Sequence, residues 1–301
     1  MKIVLNKDEK IRYNYKLGIF MMIIASFFLA LSAALVKYMR LFPLMEITFF
    51  LNLPAMIITP IILKYKNISF CGNNKQILLL RCFFGFVGMI GYYFTCTKMQ
   101  LSDAITIQQL SPFFIIILAG IILKEKIIFQ QIPALILAFL GALLIVKPGF
   151  RLEMLPAIIG ILAAIFGAGA QITLRILRLT DEPLVIVNYR VYSAGIGALV
   201  ILFFQNSFVI PDLHAWNIFL LMGFIFWVAQ IALTNAYRIA PASLVSLYFY
   251  SQIIFGTIYG LLIFREFPDI YGILGSSLII ISGFFNYRAK TNKTRYQRRE
   301  V

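Results

Sequence analysis

The sequence predicts an all-α integral membrane protein with ten transmembrane helices, arranged as two inverted five-helix repeats. Three observations lead to this prediction. Of the 301 residues, 61% are hydrophobic and 13% are charged, whereas soluble domains have about 25% charged residues. The apolar residues form long uninterrupted stretches, and short motifs recur about halfway along the chain. A soluble globular protein is therefore excluded.

The apolar stretches are long enough to cross a bilayer, which requires about 20 residues in a helix. Proline, glycine and charged residues separate them. The first stretch follows a basic segment, but it is too long for the apolar part of a secretory signal, so we count it as helix one. The predicted helices span residues 17–36, 44–63, 77–97, 104–123, 132–146, 155–177, 184–204, 216–237, 243–264 and 270–287.

The distribution of basic residues predicts the orientation, because cytoplasmic loops are enriched in Lys and Arg. With the N-terminus inside, 20 of the 27 Lys and Arg residues fall on the cytoplasmic side and six on the outer side. The remaining one, Arg190, lies within helix seven. Both termini are therefore predicted to be cytoplasmic, as a tail at 1–16 and a basic tail at 288–301.

An internal repeat relates the two halves of the chain. The Lys-Glu pair at 124–125 recurs as the Arg-Glu pair at 265–266, 141 residues later, and Lys98 recurs as Arg238 after 140 residues. A stripe on helix one recurs 138 residues later on helix six, with Ser26, Ala30, Ala33 and Lys37 matching Ala164, Ala168, Gln171 and Arg175.

These matches predict one repeat at 17–148 and a second at 155–287. Five helices is an odd number, so the second repeat enters the membrane from the opposite side. Inverted repeats form two faces that open alternately around a site near the middle of the membrane. The arrangement favours a carrier.

Arg190 is the clearest candidate for a substrate-binding residue. A charge at bilayer depth costs about 2.5–3.5 kcal/mol on insertion scales, so it usually faces a cavity or a partner. Its guanidinium group can bind a carboxylate or phosphate through paired hydrogen bonds. The alternative is a structural arginine, held by backbone carbonyls or extended towards the nearer membrane surface.

Polar and aromatic residues on four other helices complete the candidate site. In helix four, Gln108 and Ser111 share a face, and Pro112 predicts a bend that frees a backbone carbonyl. The alternative role of these polar groups is to join helices. The predicted substrate-binding residues are Arg190, Gln108, Gln109, Ser111, Tyr92, Trp227, Gln230, Tyr248 and Gln252.

Charged residues at helix ends form a second candidate group. Their repetition in both halves suggests gating, and anchoring at the membrane interface is the alternative. They are Lys37, Arg175, Lys98, Arg238, Glu125 and Glu266.

No residue pattern predicts catalysis, a metal site or a cofactor. His214 is the only histidine, which excludes His-rich zinc motifs and a Ser-His-Asp triad. The three cysteines lack metal-site spacing and are predicted to be free thiols. A nucleic-acid partner is not expected, because no soluble stretch is long enough to carry a basic face.

Several motifs resemble a known family. They are Lys37 at the end of helix one, Pro112 followed by Glu125, the Val-Lys-Pro exit at 146–148 and the Phe-Arg-Glu-Phe-Pro-Asp junction at 264–269. Over residues 17–287 the chain resembles the ten-helix EamA type of the drug/metabolite transporter superfamily. The junction and the Pro-Leu-Met-Glu sequence at 43–46 resemble rickettsial S-adenosylmethionine uptake transporters.

The resemblance implies that helices four and nine line a central cavity and that one chain contains the whole path. It therefore implies a functional monomer in a bacterial inner membrane, with a small-molecule substrate and membrane lipids as partners. The most specific expectation is uptake or exchange of S-adenosylmethionine. The alternatives are an exporter of amino acids or other metabolites, and a membrane-embedded enzyme or lipid-handling protein.

Overall fold

The computed structural model describes residues 14–122, 132–146, 154–177, 180–240, 245 and 248–297. Within these ranges the protein is α-helical and contains no strand. The helices are α1 (Tyr15–Tyr38), α2 (Leu44–Tyr65), α3 (Lys75–Lys98), α4 (Leu101–Gln108), α5 (Ser111–Ile122), α6 (Ile132–Val146), α7 (Met154–Leu177), α8 (Pro183–Gln205), α9 (Leu213–Ile239), α10 (Ser251–Phe264) and α11 (Ile270–Gln297).

Seven spans in the described ranges are long and apolar enough to cross a membrane, with α4 and α5 contributing one of them, Leu101–Leu118. Three shorter apolar helices are Ile132–Ile145, Ser251–Phe264 and Ile270–Phe285. The prediction of an all-α membrane protein is confirmed. The count of ten spans stays a prediction.

Local sequence signals explain where several helices begin. The side chains of Asn14 and Asp212 accept hydrogen bonds from backbone N–H groups in the first turns of α1 and α9, at 3.1 and 2.9 Å. Such caps satisfy donors that have no partner within the helix. Pro183 is the first residue of α8, where its missing N–H is not needed.

The fourth predicted helix is broken into α4 and α5, as the position of Pro112 predicts. Gln109 and Leu110 form a turn between the two segments. Pro112 is the second residue of α5, and a proline in a first turn costs no helical hydrogen bond. The break brings a turn of irregular backbone into the membrane-spanning part of the chain.

The last predicted helices differ from the structure at their ends. The predicted span 270–287 lies within α11, which continues beyond it to Gln297. Hydropathy marks only the apolar part of a helix, so it cannot detect a polar extension. Helix nine is predicted from 243, and α10 begins at Ser251. Residues 241–244, 246 and 247 lie outside the described residues.

The helices form a bundle with an apolar outer surface. Phe203 and Phe204 are each 81% exposed, and Leu262 is 76% exposed. Water would make such a surface unfavourable, whereas lipid chains accommodate it. Inside the bundle α3 packs against α7, α1 against α9, α2 against α8 and α6 against α11.

Small residues allow two of these helix pairs to approach closely. A Cβ atom added to Gly88 in α3 would lie 3.1 Å from the backbone nitrogen of Gly167 in α7. One added to Gly141 in α6 would lie 2.8 Å from the carbonyl oxygen of Gly275 in α11. Close backbone approach at small residues is typical of helix packing in membranes. The α3–α7 contact also forms one wall of the cavity described next.

Candidate functional site

A cavity of about 120 Å³ lies between α1, α3, α4, α7, α8, α9 and the start of α10. Its polar lining includes two cations, Arg81 and Arg190, and four amides, Gln108, Gln171, Gln230 and Gln252. Its aromatic lining consists of Tyr92, Tyr93, Phe226 and Phe249. Glycine and apolar side chains form the rest of the wall. The fold therefore brings polar groups from both halves of the chain to one place.

Arg81 lies in the second turn of α3 and is 4% exposed. Its Nη1 donates a hydrogen bond to the carbonyl oxygen of Ala170 in α7, and its Nε is buried without a hydrogen-bond partner in the described residues. The charge count assigns Arg81 to the cytoplasmic side, and the sequence analysis did not name it as a candidate site residue. Its position inside the predicted span 77–97 is the signal that identifies it as a membrane-embedded arginine.

Arg190 projects from α8 towards the same cavity. Its guanidinium carbon lies 4.9 Å from the centre of the Phe226 ring, a cation–π contact. Its Nη2 lies 3.7 Å from the sulfur of Met89. Its Nη1 is buried and has no hydrogen-bond partner within the part of the chain described. The structure therefore leaves this guanidinium with unused donors facing the cavity region.

No carboxylate is among the residues that line the cavity in the described ranges. Two guanidinium groups therefore share a small, largely buried space without a neighbouring counter-charge. Burying an ionised group without compensation is unfavourable by several kcal/mol. The site consequently favours a negatively charged group.

The amides of Gln109 and Gln252 connect the break between α4 and α5 to the start of α10. Gln109 Nε2 donates to Gln252 Oε1 over 2.8 Å, and both residues are buried. Gln108 lines the cavity, and its Oε1 is buried without a partner in the described residues. One amide of the Gln108–Gln109 pair is thus used to join helices, and the other faces the cavity.

A partly buried ion pair joins helices beyond the cavity, at the predicted outer end. Lys37 at the end of α1 is 3% exposed and pairs with Glu266, which follows α10. Lys37 Nζ also donates to the carbonyl oxygen of Met99 at 2.6 Å. The second carboxylate oxygen of Glu266 accepts from the backbone N–H of Leu101 at 3.0 Å. These contacts join α1, the α3–α4 connection and the end of α10.

The other helix-end charges have different surroundings. Arg238 forms a two-pronged ion pair with Glu182 at 2.7 and 3.0 Å, and both side chains are 46% exposed. Lys98 is exposed at the end of α3. Glu125 and the side chain of Arg175 lie outside the described residues. Of the predicted gating residues, the structure thus buries Lys37 and holds Glu266 against it.

The remaining predicted site residues divide into two groups. Tyr92, Gln230 and Gln252 line the cavity with Arg190 and Gln108. Gln109, Ser111, Tyr248 and Trp227 are not among its lining residues. The indole Nε1 of Trp227 donates to the hydroxyl of Thr59 at 3.0 Å, which joins α9 to α2. Trp227 therefore packs between helices.

Gln171 and Tyr93 also line the cavity, although the sequence patterns did not single them out as site residues. Gln171 belongs to the repeated stripe on helix six, so the repeat was the available signal. Tyr93 adjoins Tyr92, and no sequence pattern distinguishes which of two adjacent tyrosines faces inward.

In the residues described, no group of three or more His, Cys, Asp or Glu side chains can hold a metal ion.

Comparisons with known proteins place these features in a family. The model of the EamA-like transporter family matches residues 16–147 and 154–288. The pseudopaline exporter CntI of Pseudomonas aeruginosa is 30% identical over 270 residues, which cover 89% of this chain and 94% of the exporter. The riboflavin transporter of Brucella anthropi is 24% identical over 258 residues, covering 84% and 91% of the two chains.

A eukaryotic relative and a solved structure extend the comparison. Solute carrier family 35 member G1 of Mus musculus is 29% identical over 282 residues, covering 88% of this chain and 77% of that protein. One crystal structure matches with a TM-score of 0.63 over 90% of this chain and 94% of the other, at 14% identity, which shows a shared fold. The chain belongs to the EamA-like transporter family, and it is a multi-pass membrane transporter of a small molecule rather than an enzyme.

Proposed function

We propose that the protein is an alternating-access carrier of a small polar organic metabolite in a bacterial inner membrane, and that the cavity binds the substrate. The observation that carries this proposal is the cavity itself. It places Arg81, Arg190 and four glutamine amides inside a bundle whose outer surface is apolar. Intramembrane polar groups around a cavity are typical of a solute path.

The packing of the helices supports two inverted repeats and ten spans. The repeat matches the helices of the two halves in order, so that α1, α2, α3, α5 and α6 correspond to α7, α8, α9, α10 and α11. Under this matching the α3–α7 contact corresponds to the α9–α1 contact. The α1–α10 contact corresponds in the same way to the α7–α5 contact. All of these contacts are present. The family model also matches the chain in two stretches, 16–147 and 154–288. The three shorter apolar helices bring the seven long spans to ten.

The location of the cavity supports a carrier closed to the outside. Arg81 and Arg190 lie six and seven residues from the starts of α3 and α8, which are the predicted cytoplasmic ends. The Lys37–Glu266 pair lies at the opposite, predicted outer end. Under alternating access this pair separates when the outer side opens. Because the cavity forms within one chain, we also propose that the monomer is functional.

Three substrate candidates follow from different observations. The two named bacterial relatives handle pseudopaline and riboflavin, which supports an organic metabolite as the substrate class. The comparisons give no support to the S-adenosylmethionine subgroup, so that candidate depends only on the resemblance of 43–46 and 264–269. An amino-acid substrate is the third candidate, because carboxylate and ammonium groups match the arginine and amide lining.

Transport into proteoliposomes tests this proposal. Purified protein is reconstituted and supplied separately with labelled riboflavin, S-adenosylmethionine and amino acids, each with and without the same unlabelled compound on the opposite side. The proposal predicts saturable flux of at least one compound, abolished by Arg190→Ala. Arg40→Ala removes an exposed arginine beyond the end of α1 and is the matched control.

The effect of unlabelled compound on the far side of the membrane distinguishes exchange from facilitated flux. Faster uptake when the same compound is present on the far side indicates exchange, and equal uptake indicates facilitated flux. If flux of every compound stays at the level of empty liposomes while the protein remains folded, export is tested next, as uptake into inverted membrane vesicles. Flux that is unchanged in Arg190→Ala would assign Arg190 a structural role.

A further inference from the structure

We infer that the cavity recognises its substrate through a carboxylate group held between Arg81 and Arg190. This inference rests on the proposed function, because it specifies which chemical class of metabolite the carrier binds. It makes the transported solute an anion or a zwitterion and places its negatively charged end near α3 and α8.

The charge of the site is the first support. Both arginines line one cavity of about 120 Å³, whereas three acidic side chains of the bundle have partners elsewhere. Glu182 binds Arg238 at 2.7 Å, and Glu266 binds Lys37. Asp181 accepts a hydrogen bond from the backbone N–H of Asn73 at 2.6 Å. None of the carboxylates in the described ranges lines the cavity. The counter-charge is therefore expected to come from the ligand.

The hydrogen-bonding state of the two guanidinium groups supports the same conclusion. Arg81 Nε and Arg190 Nη1 are buried donors without a partner in the described part of the chain. An arginine presents its donors in a planar fork that matches the two oxygens of a carboxylate. Arg190 is also held on the face of Phe226, so its planar group is oriented before the ligand arrives.

The rest of the cavity fits the remainder of such a molecule. Gln108 Oε1 is a buried acceptor without a partner among the described residues, and it can accept from an amine or hydroxyl of the substrate. The cavity volume of about 120 Å³ is below the roughly 300–1,000 Å³ of pockets that enclose drug-sized ligands. In this conformation it therefore holds a head group, and a large substrate needs a wider, more open state.

The charge of the site also ranks the candidates of the proposed function. A solute with net positive charge would be repelled by two uncompensated guanidinium groups, and such repulsion is strong in a poorly hydrated site. Amino acids and other carboxylates are therefore favoured over S-adenosylmethionine, which carries two positive groups and one carboxylate. Neutral riboflavin offers hydrogen-bond acceptors but no counter-charge to either arginine.

Matched acids and amides test the inference by direct binding. The thermal unfolding of the purified protein in detergent is followed at constant ionic strength with increasing benzoate or benzamide, and with N-acetylglycine or its amide. Ligands that bind the folded state raise the melting temperature saturably. We expect both acids to do so and both amides to have little effect. Equal stabilisation by an acid and its amide would overturn the inference.

Arginine variants locate the site. Loss of a hydrogen bond to a charged group corresponds to about a tenfold or greater increase in Kd, so we expect at least this loss of benzoate affinity in Arg81→Gln and in Arg190→Gln. Arg190→Lys keeps the charge but loses the fork, and we expect an intermediate Kd. Arg40→Gln is the control and retains wild-type binding. Wild-type affinity in both cavity variants would refute the assignment.

Two further measurements distinguish a carboxylate site from a structural arginine and from an inorganic anion site. Arg190 has a cation–π contact with Phe226 but no ion pair in the described residues, so its removal should lower the melting temperature of the ligand-free protein only slightly. A large drop for ligand-free Arg190→Gln would indicate a structural arginine. Chloride and phosphate are tested as the only added anions. Stabilisation by chloride equal to that by benzoate would replace the carboxylate site with an inorganic anion site.

A negative result in the binding experiment and a negative result in the transport experiment contradict different proposals. If a neutral or cationic solute is transported while no carboxylate binds, the proposed carrier function stands and the inference is wrong. If carboxylates bind through both arginines while no solute crosses the bilayer, the recognition site stands and the carrier function is wrong.

Discussion

Lys37 and Glu266 form a partly buried ion pair, although the two residues are 229 positions apart in the chain. Each partner also satisfies a backbone group of the α3–α4 connection, through Met99 and Leu101. The pair therefore fastens the end of α1 and the end of α10 to the same short segment. This arrangement suits a contact that keeps one end of the bundle closed.

The first prediction concerns removal of this pair. Lys37→Met leaves the Glu266 carboxylate without its cation. Loss of one partner costs about 3 kcal/mol or more in a fully buried pair, and Glu266 is 23% exposed, so a smaller loss is expected here. We expect a clear decrease in the melting temperature measured in detergent. Lys98→Met removes an exposed lysine at the end of α3 and should leave the melting temperature nearly unchanged.

Exchanging the two charges sharpens this test. In the double variant Lys37→Glu and Glu266→Lys, the attraction is retained, but the Met99 carbonyl loses its donor and the Leu101 N–H loses its acceptor. Partial recovery of stability is therefore expected. Full recovery would mean that the backbone contacts contribute little, and equal stability of Lys37→Met and Lys98→Met would mean that the pair does not hold the structure together.

The second prediction concerns the contact between α3 and α7. A Cβ atom at residue 88 would lie 3.1 Å from the Gly167 nitrogen and 3.2 Å from the Ala163 carbonyl oxygen. Both contacts involve backbone that cannot move aside easily, and overpacking typically costs about 1–3 kcal/mol. Gly88→Ala should therefore lower the free energy of unfolding, measured by denaturant titration in detergent.

Gly85 provides a matched control one turn earlier on α3. A Cβ atom there would have its nearest neighbour, Arg190 Nε, at 3.9 Å, which is ordinary van der Waals contact. Gly85→Ala should leave the free energy of unfolding unchanged or raise it slightly, because alanine is the better helix former. If Gly88→Ala were equally harmless, the close approach of α3 and α7 would be looser than the structure shows.

The third prediction concerns the amide pair between Gln109 and Gln252. Replacing one partner with leucine leaves the other amide buried without its hydrogen bond, which costs about 1–3 kcal/mol. Replacing both removes the unsatisfied groups together. Unfolding measurements on Gln109→Leu, Gln252→Leu and the double variant should therefore show a double variant that is more stable than the sum of the single effects implies. Strict additivity would indicate that the two amides do not interact.

Much of the fold follows from the sequence because lipid imposes a simple requirement. Every backbone polar group in the membrane is satisfied within a helix, so apolar length alone predicts α2, α3, α7 and α8 to within two residues at each end. Pro112 similarly predicts the break between α4 and α5. Hydropathy does not predict that α11 continues to Gln297, because it carries no information about a helix beyond its apolar part.

The site was harder to predict because a membrane helix has an apolar environment both towards the lipid and towards the other helices. A helix with lipid on one side and protein on the other has no strong polar face, so periodicity does not show which residues face inward. Trp227 is predicted at the site, and its indole N–H donates to Thr59 in the structure. Arg81 was counted with the charges of the cytoplasmic side because it is close to a helix end. Only the packing of α3 against α7 shows that it lines the cavity.

The fourth prediction concerns Trp227. Its indole N–H donates to Thr59 at 3.0 Å, and Trp227 is not among the lining residues of the cavity. Trp227→Phe keeps an aromatic ring and loses this one hydrogen bond, so we expect a decrease in stability of about 1 kcal/mol. The KM for whichever solute is transported should not change. A several-fold increase in KM with unchanged stability would return Trp227 to the substrate site.

The fifth prediction tests the orientation with a natural probe. Cys71 is exposed between α2 and α3, whereas Cys82 and Cys96 are buried, so a membrane-impermeant maleimide should label Cys71 alone. If both termini are cytoplasmic, labelling occurs in inside-out vesicles and not in right-side-out vesicles. Leu41 is 92% exposed between α1 and α2, so Leu41→Cys in a Cys71→Ser background should show the opposite pattern. Labelling of Cys71 from outside would reverse the orientation, place the basic loops on the wrong side of the membrane and assign the Lys37–Glu266 closure to the cytoplasmic face.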